Sequence, residues 1–157
     1  MKSLSKLFFV FTLVLWGLNT AKAQSSLKND KASKAAEVKD LVNNKDIVFE
    51  ATTASSEKGN QPLNYHRYHV AVAKDTLVAT LPGPNGDVVK FDCTKFAYNA
   101  VKGKNGTWDI TIKPETKMGD IKELKLAVAP QGNASLHVVR SHGGPLSLDG
   151  YIKQEDY

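Results

Sequence analysis

The sequence predicts a mainly β chain: an antiparallel, barrel-like meander of eight or nine strands behind one N-terminal amphipathic helix. Two observations carry this expectation. Past residue 46 the apolar residues recur with a period of two, the period of a strand whose alternate side chains share a face. Turns rich in Gly, Asn and Pro separate those runs, and no helical pattern lies between them. That excludes strand–helix–strand units and the parallel sheet they build. One apolar face per strand calls for a sheet closed on itself, with a β-sandwich as the alternative.

The first 23 residues stand apart from this pattern. Lys2 and Lys6 precede an apolar run from Leu7 to Leu18, and Ala21-Lys22-Ala23 supplies small residues around a cleavage point between Ala23 and Gln24. This is the anatomy of a secretory signal peptide. Its apolar run is too short for a membrane span, which takes roughly 20 residues. The single cysteine, Cys93, is far from the cleavage point. The chain is therefore expected to carry no lipid anchor and no intramolecular disulfide, and to be periplasmic or secreted.

The export segment also distorts the charge. The whole chain has 21 Lys and Arg against 16 Asp and Glu, and residues 1–23 hold three of those lysines and no acid. The remainder is nearly balanced, which speaks against a nucleic-acid-binding protein. Its length speaks against a two-domain enzyme. Residues 24–29 are read as a flexible N-terminus, 30–153 as a single β-rich domain and 154–157 as a polar tail.

Each element has a local cause. Asn29 or Asp30 can cap a helix whose apolar positions Ala35, Val38, Leu41 and Val42 are spaced by three and four, and Asn43-Asn44 ends it. Ile47, Phe49 and Ala51 begin the strand pattern, and Tyr68, Val70 and Val72 continue it. Lys74-Asp75 turns the chain into Leu77, Ala79 and Leu81, and the two prolines and two glycines of 82–87 break any ladder. Val89 and Phe91 follow, then Phe96 and Tyr98, with Cys93 read as a small buried apolar residue in phase with Phe91. Asn105-Gly106 marks a hairpin before Trp108, Ile110 and Ile112. Leu124, Leu126 and Val128, then Leu136 and Val138, then Leu146, Leu148 and Ile152 complete the meander.

No constellation in the sequence carries chemistry. His66 and His69 are three apart, which places them on opposite faces of a strand, and His137 is out of phase with its apolar neighbours. No metal, cofactor or zinc site is expected from such spacing. Ser141-His142-Gly143-Gly144 lacks the strand-to-helix elbow of a nucleophile and reads as a loop. Glu50, Asp92, Asp109 and Glu123 occupy the polar positions of their strands and read as a solvated face rather than as a catalytic acid pair. Catalytic residues are thus expected to be absent. The candidate pocket-lining residues are Tyr68, Phe96, Tyr98 and Trp108, apolar bodies with polar tips on strands able to neighbour one another.

Several segments, taken in order, carry a resemblance. They are Lys34–Val38 leading to Ile47–Ala51, Tyr68–Val72 with Asp75, Leu81-Pro82, Val89–Phe91, Trp108–Ile110, Gly132–Ala134 and Leu148–Ile152. This set resembles the exported Bacteroidetes proteins that carry domain of unknown function 4251, over roughly residues 30–153. The resemblance implies a lipocalin-like barrel and no established activity, so it transfers no site residue. It also implies a longer aromatic and Gly-rich segment after Leu-Pro, where this chain has only Gly83–Asp87. In that phylum Asp75-Thr76-Leu77 matches an O-glycosylation acceptor, which makes Thr76 a candidate site.

The sequence thus points to a non-catalytic envelope protein that binds a small apolar or amphipathic ligand in its barrel. A protein–protein interaction module is the alternative, resting on small outward residues such as Ala71, Ala73, Ala127 and Ala129. A hydrolase using His142 is the least supported reading.

Overall fold

The computed structural model describes residues 30–154 apart from 57–58, 64–66, 84–86, 116–119 and 143. The signal segment with its Ala23–Gln24 cleavage point, the 24–29 stretch, Tyr65, His66, Gly143 and residues 155–157 lie outside the described residues.

Helix α1 spans residues 30–44. From Ala35 onward it belongs to the same compact unit as the strands. Val38, Leu41 and Val42, at the expected helical spacing, are buried in the common core. Lys45, with a φ of 53°, ends the helix and redirects the chain.

Ten strands follow: β1 (Asp46–Ser56), β2 (Gly59–Pro62), β3 (His69–Ala73), β4 (Thr76–Pro82), β5 (Val88–Cys93), β6 (Phe96–Lys102), β7 (Trp108–Pro114), β8 (Ile121–Val128), β9 (Asn133–Arg140) and β10 (Leu146–Lys153). They form one antiparallel sheet in the order β5-β4-β3-β1-β10-β9-β8-β7-β6, with β2 paired to β1 off this path. Nine strands that alternate in direction leave the two ends of the path, β5 and β6, running the same way. Only Thr94 and Lys95 separate them. β6 is therefore the onward half of β5 after a bend, and not its hairpin partner. The first half pairs with β4 and the second with β7. Counted as one, the bent strand makes eight staves, which close into a barrel with a single seam at the bend. The ten strands thus match the eight or nine expected once this bend and the four-residue β2 are recognised.

A second bend lies in β1. Its register with β10 slips between Ala51 and Thr53, so Thr52 is bulged; the half before it pairs with β3 and the half after it with β2. Gly150 faces this bulge on β10, where a Cβ would lie 1.9 Å from the Glu50 carbonyl oxygen. Only glycine lets the two backbones approach so closely.

Inside the barrel, Phe49, Leu77, Ile112, Leu124, Leu136 and Leu148 are each under 2 % exposed. The body of the barrel is a packed core, each such side chain contributing about 1.5–3 kcal/mol by burial. One end is closed by α1. The Tyr98 hydroxyl on β6 donates to the Val42 carbonyl at 2.9 Å, and Lys45 Nζ stands 5.6 Å from the Tyr98 ring centroid. The Lys45 carbonyl accepts from the Lys74 amide at 2.9 Å in the β3–β4 turn. The helix end is thereby tied to β6 and to that turn. Among the described residues no helix is long and apolar enough to cross a membrane.

Candidate functional site

The end away from α1 is built differently. On β9 the inward row runs Ala134, Leu136, Val138 and then Arg140; the first three are buried and Arg140 is half-buried. The guanidinium donates to the carbonyl of Pro82, at the end of β4. β4 and β9 are four staves apart whichever way the ring is counted, so the Arg140 side chain spans the mouth of the barrel. The two walls must approach closely there. Around this cation the inner surface is apolar. Ile121, its register partner on β8, is buried, and Leu146 on β10 is half-buried against the core. Asp120, which leads into β8, is committed elsewhere: its Oδ1 lies 3.0 Å from His142 Nδ1, and its carbonyl accepts from the Ser141 amide. Arg140 therefore lies on an apolar rim with a neutral carbonyl as its bonded partner.

A second feature is a trough on the outer face of β7–β10. Register places Asp109, Ala127, Ser135 and Asp149 in one row across four strands, and Thr111, Lys125, His137 and Ser147 in the next. Two depressions of about 540 and 440 Å³ open here and share Asp109, Ala127 and Ser135. Small floor residues leave the room, and the Thr52 bulge with Gly150 bounds the first of the two. Asp149 is locked by its neighbours. Its two carboxylate oxygens accept from Ser55 Oγ at 2.5 Å and Ser135 Oγ at 2.6 Å, and its carbonyl accepts from Thr52 Oγ1 at 3.1 Å. In the next row His137 Nδ1 lies 3.0 Å from Ser147 Oγ.

A third, smaller depression of about 190 Å³ is lined by Val48, Glu50, His69 and Lys153. It corrects one expectation. Glu50 is not part of a solvated face: it is 3 % exposed, with its Oε2 3.2 Å from Lys153 Nζ. Strand alternation correctly assigns its side of the sheet but does not report what lies over that side.

The candidate pocket-lining residues do not converge. Tyr68, leading into β3, and Trp108 on β7 are buried, while Phe96 and Tyr98 on β6 are half-buried. β6 and β7 are paired, so Tyr98 and Trp108 come from neighbouring strands, whereas Phe96 stands at the bend between β5 and β6. Burial pushes the Tyr98 hydroxyl up to about 12. None of the three depressions is lined by these four residues. Thr76 opens β4 directly after the Lys74-Asp75 turn and is exposed. Cys93 is buried, and burial pushes its thiol upward. His137 and His142 are exposed, and among the described residues no group of three His, Cys, Asp or Glu could hold a metal ion.

Arg140 was not singled out from the sequence, although its phase with Leu136 and Val138 marks it as an inward cation. The Asp149–Ser135 and His137–Ser147 pairs were not legible there, because they exist only through the β9–β10 register.

Comparison with known proteins bears on this geometry. The model of the family described as domain of unknown function (DUF4251) matches residues 29–152. The chain belongs to this family. The DUF4251 match spans α1 and the ten strands up to Ile152, one residue short of the end of β10. A crystal structure of a DUF4251 family protein from Bacteroides eggerthii DSM 20697 is similar to it, with a TM-score of 0.64 at 17 % identity over 78 % of this chain and 89 % of that one. At that identity the likeness concerns the fold. No curated protein matches the sequence.

Proposed function

We propose that this DUF4251 chain is an exported, non-catalytic envelope protein that binds a small amphipathic ligand at the mouth of its barrel. One observation supports the reading above others. The inner layers of the barrel are packed shut, whereas the layer at the mouth keeps the half-buried Leu146 beside an inward-pointing guanidinium. An apolar surface with one well-placed polar group is the usual make-up of a small-molecule site. The signal-like N-terminus supports export. The two exposed histidines make separate single contacts, His137 with Ser147 and His142 with Asp120, so among the described residues no contact joins a serine and an acid on one imidazole. Native mass spectrometry of the protein purified from its own host tests the reading. A bound small molecule lost on denaturation is expected; a bare chain that also fails to take up any offered amphiphile overturns it.

A second reading, docking of a protein partner on the outer face, is favoured by the trough that Asp109, Ala127 and Ser135 share. In-cell crosslinking from a photoreactive residue at position 127 tests it. One discrete adduct supports docking, and none overturns it. We further propose Thr76 as a glycan acceptor, supported by its exposure after a tight turn and by the Asp-Thr-Leu pattern. An intact mass equal to that of the unmodified polypeptide in host-derived protein would overturn this.

A further inference from the structure

We propose that Arg140 is the anchor for an acidic headgroup, so that the ligand at the mouth is an anionic amphiphile bearing a carboxylate or phosphate. The inference rests on the amphiphile reading above and adds the charge and orientation of the ligand.

The argument begins with cost. A cation in an inward row, after Ala134, Leu136 and Val138, gives up hydration that must be recovered from partners. Arginine carries five donors in a rigid planar fork. Arg140 directs its Nη2 to the neutral Pro82 carbonyl. The acid leading into the neighbouring strand, Asp120, is engaged with His142 and does not serve it. Among the described residues no acid pairs with Arg140: its register partner is Ile121, Val138 and Leu146 pair beside it, and the Asp87 carboxylate packs against Gly83. A fork with donors to spare, in a surrounding of low polarity, pairs most strongly with a bidentate oxyanion.

Geometry then sets the orientation. Arg140 reaches across the mouth to the opposite stave, so an acid group held there is centred over the barrel. Its apolar portion would lie on Leu146, the half-buried inner side chain of β10 beside Arg140. Depth is limited by the closed layer below, where Leu81 and Val138 have no exposed surface. The ligand is thus held at the rim and not swallowed. A charge-assisted pair in partly buried surroundings discriminates an acid from its neutral alcohol by tenfold or more.

The test compares dodecanoate, dodecyl phosphate and dodecanol, each below its aggregation limit, by titration calorimetry on the signal-free chain. Arg140→Met and Arg140→Lys are measured in parallel, with circular dichroism confirming that both fold. Both anions are expected to bind at least tenfold more tightly than dodecanol. Arg140→Met should bring the anions down to the dodecanol affinity while leaving dodecanol unchanged, and Arg140→Lys should retain part of the preference. A phosphate preference over carboxylate would point to a phospholipid-like source, and the reverse to a fatty acid. Equal binding of all three by the parent chain, or an anion preference that survives Arg140→Met, overturns the anchor and leaves the amphiphile reading standing. Binding of none of the three overturns the reading and the anchor together.

Discussion

The two ends of this barrel solve the same problem in opposite ways. At one end α1 covers the opening with Val38, Leu41 and Val42, and the polar Tyr98 hydroxyl found there is matched to the Val42 carbonyl. At the other, half-buried Leu146 stands beside a guanidinium bonded to a neutral carbonyl. The closed end concentrates stability, and the mouth keeps apolar surface and donors in reserve. The difference teaches where to look for function in a fold whose interior is packed: at the layer where packing stops.

The sharpest way to break this comparison is to delete one large apolar side chain from each layer. Phe49→Ala removes a fully buried side chain and should cost about 3–5 kcal/mol in urea denaturation. Leu146→Ala, at the mouth, should cost about half as much or less, since its half-buried side chain has less transfer free energy to lose. Equal losses would show that the mouth is as tightly packed as the body and would remove the basis of the contrast.

Gly150→Ala should come next. The new methyl would meet the Glu50 carbonyl, a backbone atom that moves only with β1 itself. A loss of about 1–3 kcal/mol in the same assay is expected, together with a loosened bulge at Thr52. A neutral result would mean that the approach of β1 to β10 is not held as closely as the fold requires.

How much of this was readable beforehand differs by region. The helix and its buried stripe followed directly from the spacing of Val38, Leu41 and Val42. Strand faces followed from period-two alternation, including the outward placement of His137. The bend between β5 and β6 was also written in the sequence, as a slip of phase: Phe91 and Cys93 are in one parity, Phe96 and Tyr98 in the other. It was readable only as two strands, because alternation says nothing about which neighbour each half takes. The trough and the burial of Glu50 were illegible for a related reason. Both arise from which strands lie side by side, and a one-dimensional pattern of apolar positions leaves register open.

Tyr98→Phe tests the closed end with a smaller effect. Losing the hydroxyl leaves the Val42 carbonyl without that donor and should cost about 1 kcal/mol. The same group predicts a pH dependence. Its native value, near 12, lies above the ordinary tyrosine value of 10, because burial disfavours the phenolate. Between those two values the unfolded chain releases a proton that the native chain retains. This contribution to stability is therefore complete below pH 10 and is lost as pH rises towards 12. Tyr98→Phe should flatten that part of the stability profile, and spectrophotometric titration should lose its most alkaline tyrosine. An unchanged profile would show that the hydroxyl is not held against α1.

Arg140→Met should change stability least, and for that reason it discriminates best. A guanidinium placed at the mouth to brace two walls through Pro82 would be missed on removal by at least as much as the Tyr98 hydroxyl. A guanidinium held for a ligand is a standing desolvation cost in the free protein, and an apolar side chain of similar length relieves it. Denaturation of the free Arg140→Met chain should accordingly be within about 0.5 kcal/mol of the parent, or slightly more stable. In the presence of dodecanoate the order should reverse, because only the parent gains stability from binding. A clear loss of stability without any ligand would make Arg140 a strut of the fold, and the mouth would then be closed in the same sense as the helix end.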